Sequence, residues 1–222
     1  MRVTAVTDPL DSPTDPGWEA VPREAVPLAP VPLDAQPNAY IRAAWEDRPY
    51  GLVSRADVAV ARNNRRLFVR IEWSGSTGPA TNGSLPEFTD AAGVFFPAPG
   101  GSGGNAGPPA TIGTRESPVT LWLWRDLLPV QRSLPAARAL LGCGPGVFRP
   151  LSETDGAKSP SDNSSISATS QREGLRWAVV ISGDAPPADA PRMGLAVWDG
   201  ANDERAGIAA VTHQWIELEA GA

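Results

Sequence analysis

Val58-Ala-Val-Ala-Arg-Asn-Asn-Arg-Arg-Leu-Phe-Val-Arg-Ile-Glu-Trp73 decides the fold of this chain. Two runs rich in β-branched and aromatic residues flank Asn63-Asn64, and asparagine tolerates the positive φ that a tight turn demands. After the turn, Leu67, Val69, Ile71 and Trp73 share one face, while Phe68, Arg70 and Glu72 share the other. A period of two marks a strand with one face on a core. The stretch reads as a β-hairpin whose first strand runs over Val58–Ala61.

Towards the C-terminus the same chemistry recurs. Asp90-Ala-Ala-Gly-Val-Phe-Phe-Pro97 is an apolar strand stopped by proline. Pro118-Val-Thr-Leu-Trp-Leu-Trp-Arg125 puts Val119, Leu121 and Leu123 on one face and Trp122 and Trp124 on the other. Both faces are apolar, which predicts a central strand. Leu175–Ile181 and Gly194–Trp198 close the sheet, and Val211–Glu219 follows a turn rich in Gly, Asn and Asp. Between these strands lie two long Gly/Pro/Ser-rich connections, 97–117 and 151–173, read as surface loops. One helix is predicted, at about Leu134–Leu141.

Upstream, residues 1–39 are dense in Pro and Asp, with Val26, Leu28, Val31 and Leu33 in alternation. Proline has no N–H to give a ladder, so this segment reads as an extended arm pinned to sheet edges. The 24 Pro and 22 Gly together make about a fifth of the 222 residues, which favours short strands and many turns. The expected architecture is all-β. It is a single antiparallel β-sandwich over 40–222, with long loops, the Pro-rich arm and at most one short helix.

Composition excludes several function classes. A net charge of −6 offers no basic patch for phosphates, so no nucleic-acid partner is expected. Cys143 is the lone cysteine, in a turn-like Leu-Gly-Cys-Gly-Pro-Gly, which rules out an intramolecular disulfide and a thiolate cluster. With one histidine, His213, a catalytic triad or zinc site would need that residue plus scattered carboxylates. Asp199, Asp203 and Glu204 read as an acidic, solvated turn, since they lack the ligand order of a calcium loop. No apolar run reaches the roughly 18 residues of a membrane span, and the first residues lack the apolar stretch of a signal peptide. The expected location is the cytoplasm, or export with a signal-bearing partner.

Taken in order, Asp15-Pro-Gly-Trp18, Leu67–Trp73, Asp90–Pro97, Pro118–Trp124 and Trp198-Asp-Gly200 resemble the haem-b (gamma) subunits of complex molybdenum enzymes. Ethylbenzene dehydrogenase, dimethylsulfide dehydrogenase, chlorate reductase and selenate reductase carry such subunits. The resemblance implies a non-catalytic β-sandwich subunit beside an iron–sulfur subunit and a molybdopterin catalytic subunit, passing electrons to or from a soluble carrier. It also implies a b-type haem held by a Met and a Lys. At the matching positions stand Ile112, in Thr111-Ile112-Gly113, and Ala209, in Gly207-Ile-Ala-Ala-Val-Thr212. An alkyl side chain has no lone pair for iron. The nearest lysine candidate, Lys158, lies in the Ser-rich loop. Substitute ligands are His213, four residues past Ala209, and Met193, the only internal methionine. Two versions follow, one with an unusually ligated haem and one with none and a structural role. The rival reading is a family-9-like carbohydrate-binding module, with Trp122 and Trp124 stacking on sugar.

Overall fold

A computed structural model describes residues 1–75, 88–98, 109–127, 136–150, 166–184 and 192–220. The quoted hairpin forms as β4 (Arg55–Arg62) and β5 (Arg66–Ser74), paired antiparallel with Val60 opposite Val69. Its turn works differently from the expectation. Neither asparagine has positive φ. Instead the Asn63 carboxamide oxygen accepts the amides of Arg65 and Arg66 at 3.0 and 2.8 Å. The side chain mimics a backbone acceptor and closes the turn.

Two sheets pack face to face. The first has β10 (Ser167–Glu173), β11 (Arg176–Asp184), β5, β4, β1 (Arg2–Ala5) and β15 (Glu219–Ala220) in that order, with β2 (Glu24–Pro27) also on β4. The second runs β3 (Ala29–Pro30), β13 (Ala210–Val211), β12 (Arg192–Trp198), β6 (Ala91–Pro97), β7 (Val119–Arg125), β8 (Ala137–Gly142), β9 (Phe148–Pro150), with β14 (Ile216–Glu217) on β12. The β1 pairings with β4 and β15 are parallel and every other ladder is antiparallel. This is the β-sandwich that the alternation predicts.

The inter-sheet core takes Val69, Ile71 and Trp73 from one sheet and Val94, Phe96, Trp122, Trp124, Met193 and Leu195 from the other. Trp73, Trp124 and Trp177 cluster there with ring centroids 5.1–6.1 Å apart. Burying a large aromatic contributes on the order of 2–3 kcal/mol. The outer face of the first sheet is also covered. Leu10, Trp18 and Val21 of the N-terminal segment pack on Ala59, Ala61, Phe68 and Val180. β2 and β1 pair with successive halves of the same β4 edge.

Two segments differ from the sequence reading. The expected helix at Leu134–Leu141 is strand β8 where it is described, pairing antiparallel with β7. Ala-Ala-Arg-Ala-Leu-Leu favours helix intrinsically, but pairing with an apolar central strand outweighs tenths of a kcal/mol per residue. Within the expected loop 151–173, Ser167–Glu173 forms edge strand β10, and its polar character suits that edge; positions 151–165 lie outside the described residues. The one α-helix among the described residues is α1 (Ala39–Trp45), capped by the Asn38 carboxamide accepting the Tyr40 amide at 2.9 Å.

Close approach fixes Gly194. A Cβ there would stand 2.2–2.3 Å from the Phe95 ring, which is fully buried and packs edge-on against Trp215 at 5.7 Å. Gly194→Ala is expected to cost about 1–3 kcal/mol by overpacking, read as a lower urea midpoint at unchanged m-value.

Candidate functional site

The outer face of the second sheet carries its own apolar cluster. Phe95 comes from β6, Val119 and Leu121 from β7, Ala196 and Trp198 from β12, Val211 from β13, and Val31 from the N-terminal segment. Two further members are Ile112 and Ala209, both fully buried. The fold brings together the two positions where the resemblance places haem ligands, although 97 residues separate them in sequence (209 − 112).

Ile112 arrives through a turn at Pro109–Thr111, where its amide donates to the Pro109 carbonyl at 2.9 Å. It has φ 53, followed by Gly113 at φ 83. A β-branched residue in the left-handed region is strained. It persists because the turn is pinned: a Cβ on Gly113 would meet the Gly142 carbonyl oxygen at 2.5 Å. Ala209 is held by its carbonyl, which accepts the Val31 amide at 3.0 Å. No member of this cluster offers iron a lone pair, as all its side chains are alkyl or aromatic and the indole of Trp198 donates to the Ala206 carbonyl at 3.0 Å. A haem does not fit these two positions.

The substitute ligands lie elsewhere and are not brought together. Met193 is fully buried in the inter-sheet core. His213 is exposed, with Nε2 3.0 Å from the Pro30 carbonyl oxygen, and donates to it. It lines a cleft of about 500 Å³ with Met1, Val26, Leu28 and Trp215. Trp122 and Trp124 are 4% and 2% exposed, inside the sandwich, so neither can stack on a sugar. That expectation is corrected: on a strand apolar on both faces, the tryptophans take the inter-sheet side.

The acidic turn is also not the solvated feature expected. Asp199 and Glu204 are buried, while Asp203 stays half-exposed in an ion pair with Arg48 at 2.8 Å. Glu204 accepts the Gly51 amide at 2.7 Å, the Asp199 amide at 3.0 Å and the Asn202 carboxamide at 3.1 Å. Burial pushes its carboxyl above the ordinary range, partly offset by those three hydrogen bonds. Among the described residues no group of three His, Cys, Asp or Glu is arranged to hold a metal ion.

Sequence reasoning missed a second set of charges. Buried Glu72 is ringed by Arg23, Arg70 and Arg176. Arg70 also donates to the Pro13 carbonyl at 3.1 Å, so this network fastens the N-terminal segment to the sheet. The signal was present in the alternation, which puts Arg70 and Glu72 on the non-core face, but not in anything that marks a cover over that face.

No family model matches the chain. It is 27% identical to a protein described as a respiratory nitrate reductase heme subunit of Haloferax mediterranei, over 96% of this chain and 70% of that protein. It is 30% identical to chlorate reductase subunit gamma of Ideonella dechloratans, over 71% of this chain and 61% of the relative. It is 27% identical to dimethylsulfide dehydrogenase subunit gamma of Rhodovulum sulfidophilum, over 93% and 75%. All three relatives are heme or gamma subunits, and the chain is similar to them at 27–30% identity. Like those heme and gamma subunits, it is an accessory and not a catalytic chain. Among solved structures, family 9 carbohydrate-binding modules from Caldicellulosiruptor kristjanssonii, complexed with cellotriose and with glucose, superpose with TM-scores of 0.51 and 0.53. Their matches cover the whole of this chain and 95–96% of the modules. At 9–10% identity they share its sandwich and nothing more.

Proposed function

We propose that this gamma subunit is a structural and docking component of a molybdopterin oxidoreductase complex, seated beside an iron–sulfur subunit, and that it carries no haem at the family's ligand positions. The observation that carries the reading is the packed cluster around Ile112 and Ala209. Both family ligands are replaced by alkyl groups, and those groups are sealed among Phe95, Leu121 and Trp198. A subunit that keeps the sandwich while filling the ligand face with carbon retains assembly as its task.

Helix α1 supplies a surface for that task. Six of its seven residues are Ala, Ile, Tyr or Trp, yet none is buried, and Tyr40 is 80% exposed. Leu52, nearby in sequence, is 44% exposed. An apolar helix left open is a cost in water unless another chain covers it, and the named relatives are themselves subunits of larger enzymes.

Native purification of a tagged chain tests this. The expected result is co-purification with molybdopterin and iron–sulfur chains and no Soret band assignable to this subunit. Tyr40→Asp is expected to release those chains while the circular dichroism stays unchanged. Partner-free chain from the native source would sink the docking reading. A second version, in which b-type haem persists, is favoured by one observation, the cleft lined by His213. A reduced spectrum with sharp α and β bands, abolished by His213→Ala, would establish it.

A further inference from the structure

Beside the packed cluster, on the same outer face, lies a separate cleft of about 290 Å³. Its walls are aromatic and apolar: Phe88, Phe148, Trp198 and Leu123. Phe148 meets Trp198 edge-on at 6.4 Å and 87°, leaving a corner that accepts the face or edge of a ring. The Arg205 guanidinium sits 3.9 Å over the Phe88 ring at its margin. This volume is at the small end for ligand sites, where pockets start at roughly 300 Å³.

The charge at this cleft is unbalanced. Arg125 lines it. Arg138, opposite Leu123 in the β7–β8 ladder, lies on the same face one diagonal step from Arg125. The two repel, and partial burial together with that repulsion makes Arg125 easier to deprotonate than a free guanidinium. Neither forms an ion pair among the described residues. The Arg138 Nε is buried with no hydrogen-bond partner. Glu204 also borders the cleft, but both its oxygens are already engaged by Gly51, Asp199 and Asn202. Desolvated cations without an anion are costly, and bidentate guanidinium–carboxylate pairing is the usual remedy.

We propose that this cleft binds a small aromatic carboxylate, its ring against Phe148 and Trp198 and its carboxylate on Arg125 and Arg138. The site is independent of any haem and of the docking reading. Benzoate is the probe, titrated into the intact chain by calorimetry, with cyclohexanecarboxylate and inorganic phosphate as comparisons. Saturable benzoate binding is expected, at least tenfold tighter than phosphate. Arg125→Gln should weaken it about tenfold or more, and Phe148→Ala should remove the preference for benzoate over cyclohexanecarboxylate. Arg138→Gln, which removes the other guanidinium assigned to the carboxylate, provides a second charge variant if Arg125→Gln does not fold. Phosphate binding as tightly as benzoate, no saturable heat, or affinity unmoved in folded arginine variants would each overturn the proposal.

Discussion

Ala209→Lys is expected to lower stability by about 3–5 kcal/mol at neutral pH, the usual penalty for a buried charge left without a partner. Position 209 has no exposed surface, and its neighbours in the cluster are Ile112, Phe95, Trp198 and Val211. A lysine there must either hold a charge among carbons or give up its proton. Its native pKa would therefore fall below the unfolded value near 10.4. The native state then binds fewer protons than the unfolded state, so the penalty is greatest at low and neutral pH and shrinks as pH approaches 10. Urea melts of parent and variant at about pH 7 and pH 10 read both the size and the sign. A lysine tolerated at under about 1 kcal/mol would mean that the face opens easily. In that event the parent chain with added haemin is the deciding sample, and a Soret band from it would overturn the haem-free reading.

Glu204→Ala is the second large effect expected, again about 3–5 kcal/mol. It strands the amides of Gly51 and Asp199, which are buried donors, and frees the Asn202 carboxamide. Each buried donor without an acceptor costs roughly 1–3 kcal/mol. Glu204→Gln keeps the shape and one acceptor oxygen but sets an NH2 against a donor, so about 1–2 kcal/mol is expected. The pH dependence separates the two contributions. With its native pKa raised by burial, Glu204 holds its proton more tightly when folded. The associated stability is present below the unfolded value, near 4.3, and is lost as pH rises through the native value. Glutamine has no such linkage, so its cost relative to the parent should be larger near pH 4 than at pH 7. Equal cost at both pH values would show that the carboxyl is not perturbed.

The sandwich was legible because alternation writes directly onto burial. Leu67, Val69, Ile71 and Trp73 fall together in the core, and Phe68 falls outside it on the face covered by Trp18. β8 was not legible, since Ala-Ala-Arg-Ala-Leu-Leu carries helix propensity and its strand state is imposed by pairing with β7, which local periodicity does not show. The candidate site divides in the same way. Ile112 and Ala209 could be singled out only through a resemblance. That they share one packed cluster is a property of the turn at Pro109–Thr111 meeting β13, which no local pattern encodes. The cleft lined by Arg125 was hidden for a related reason: Arg138, its neighbour on the same face, sits on the strand read as a helix.

The pairings of β1 with β15 and of β3 with β13 bear on how the chain reaches this fold. Arg2 lies opposite Glu219, and Pro30 opposite Ala210. Neither ladder can form on the ribosome until the last of these residues has emerged, and each must close a very long stretch of chain before any pairing energy returns. Until then β1, already able to pair with β4, is left with the bare edge that β15 will later occupy. The nascent polypeptide therefore carries an open sheet edge until its C-terminal strands emerge, and that interval is when it is most prone to associate.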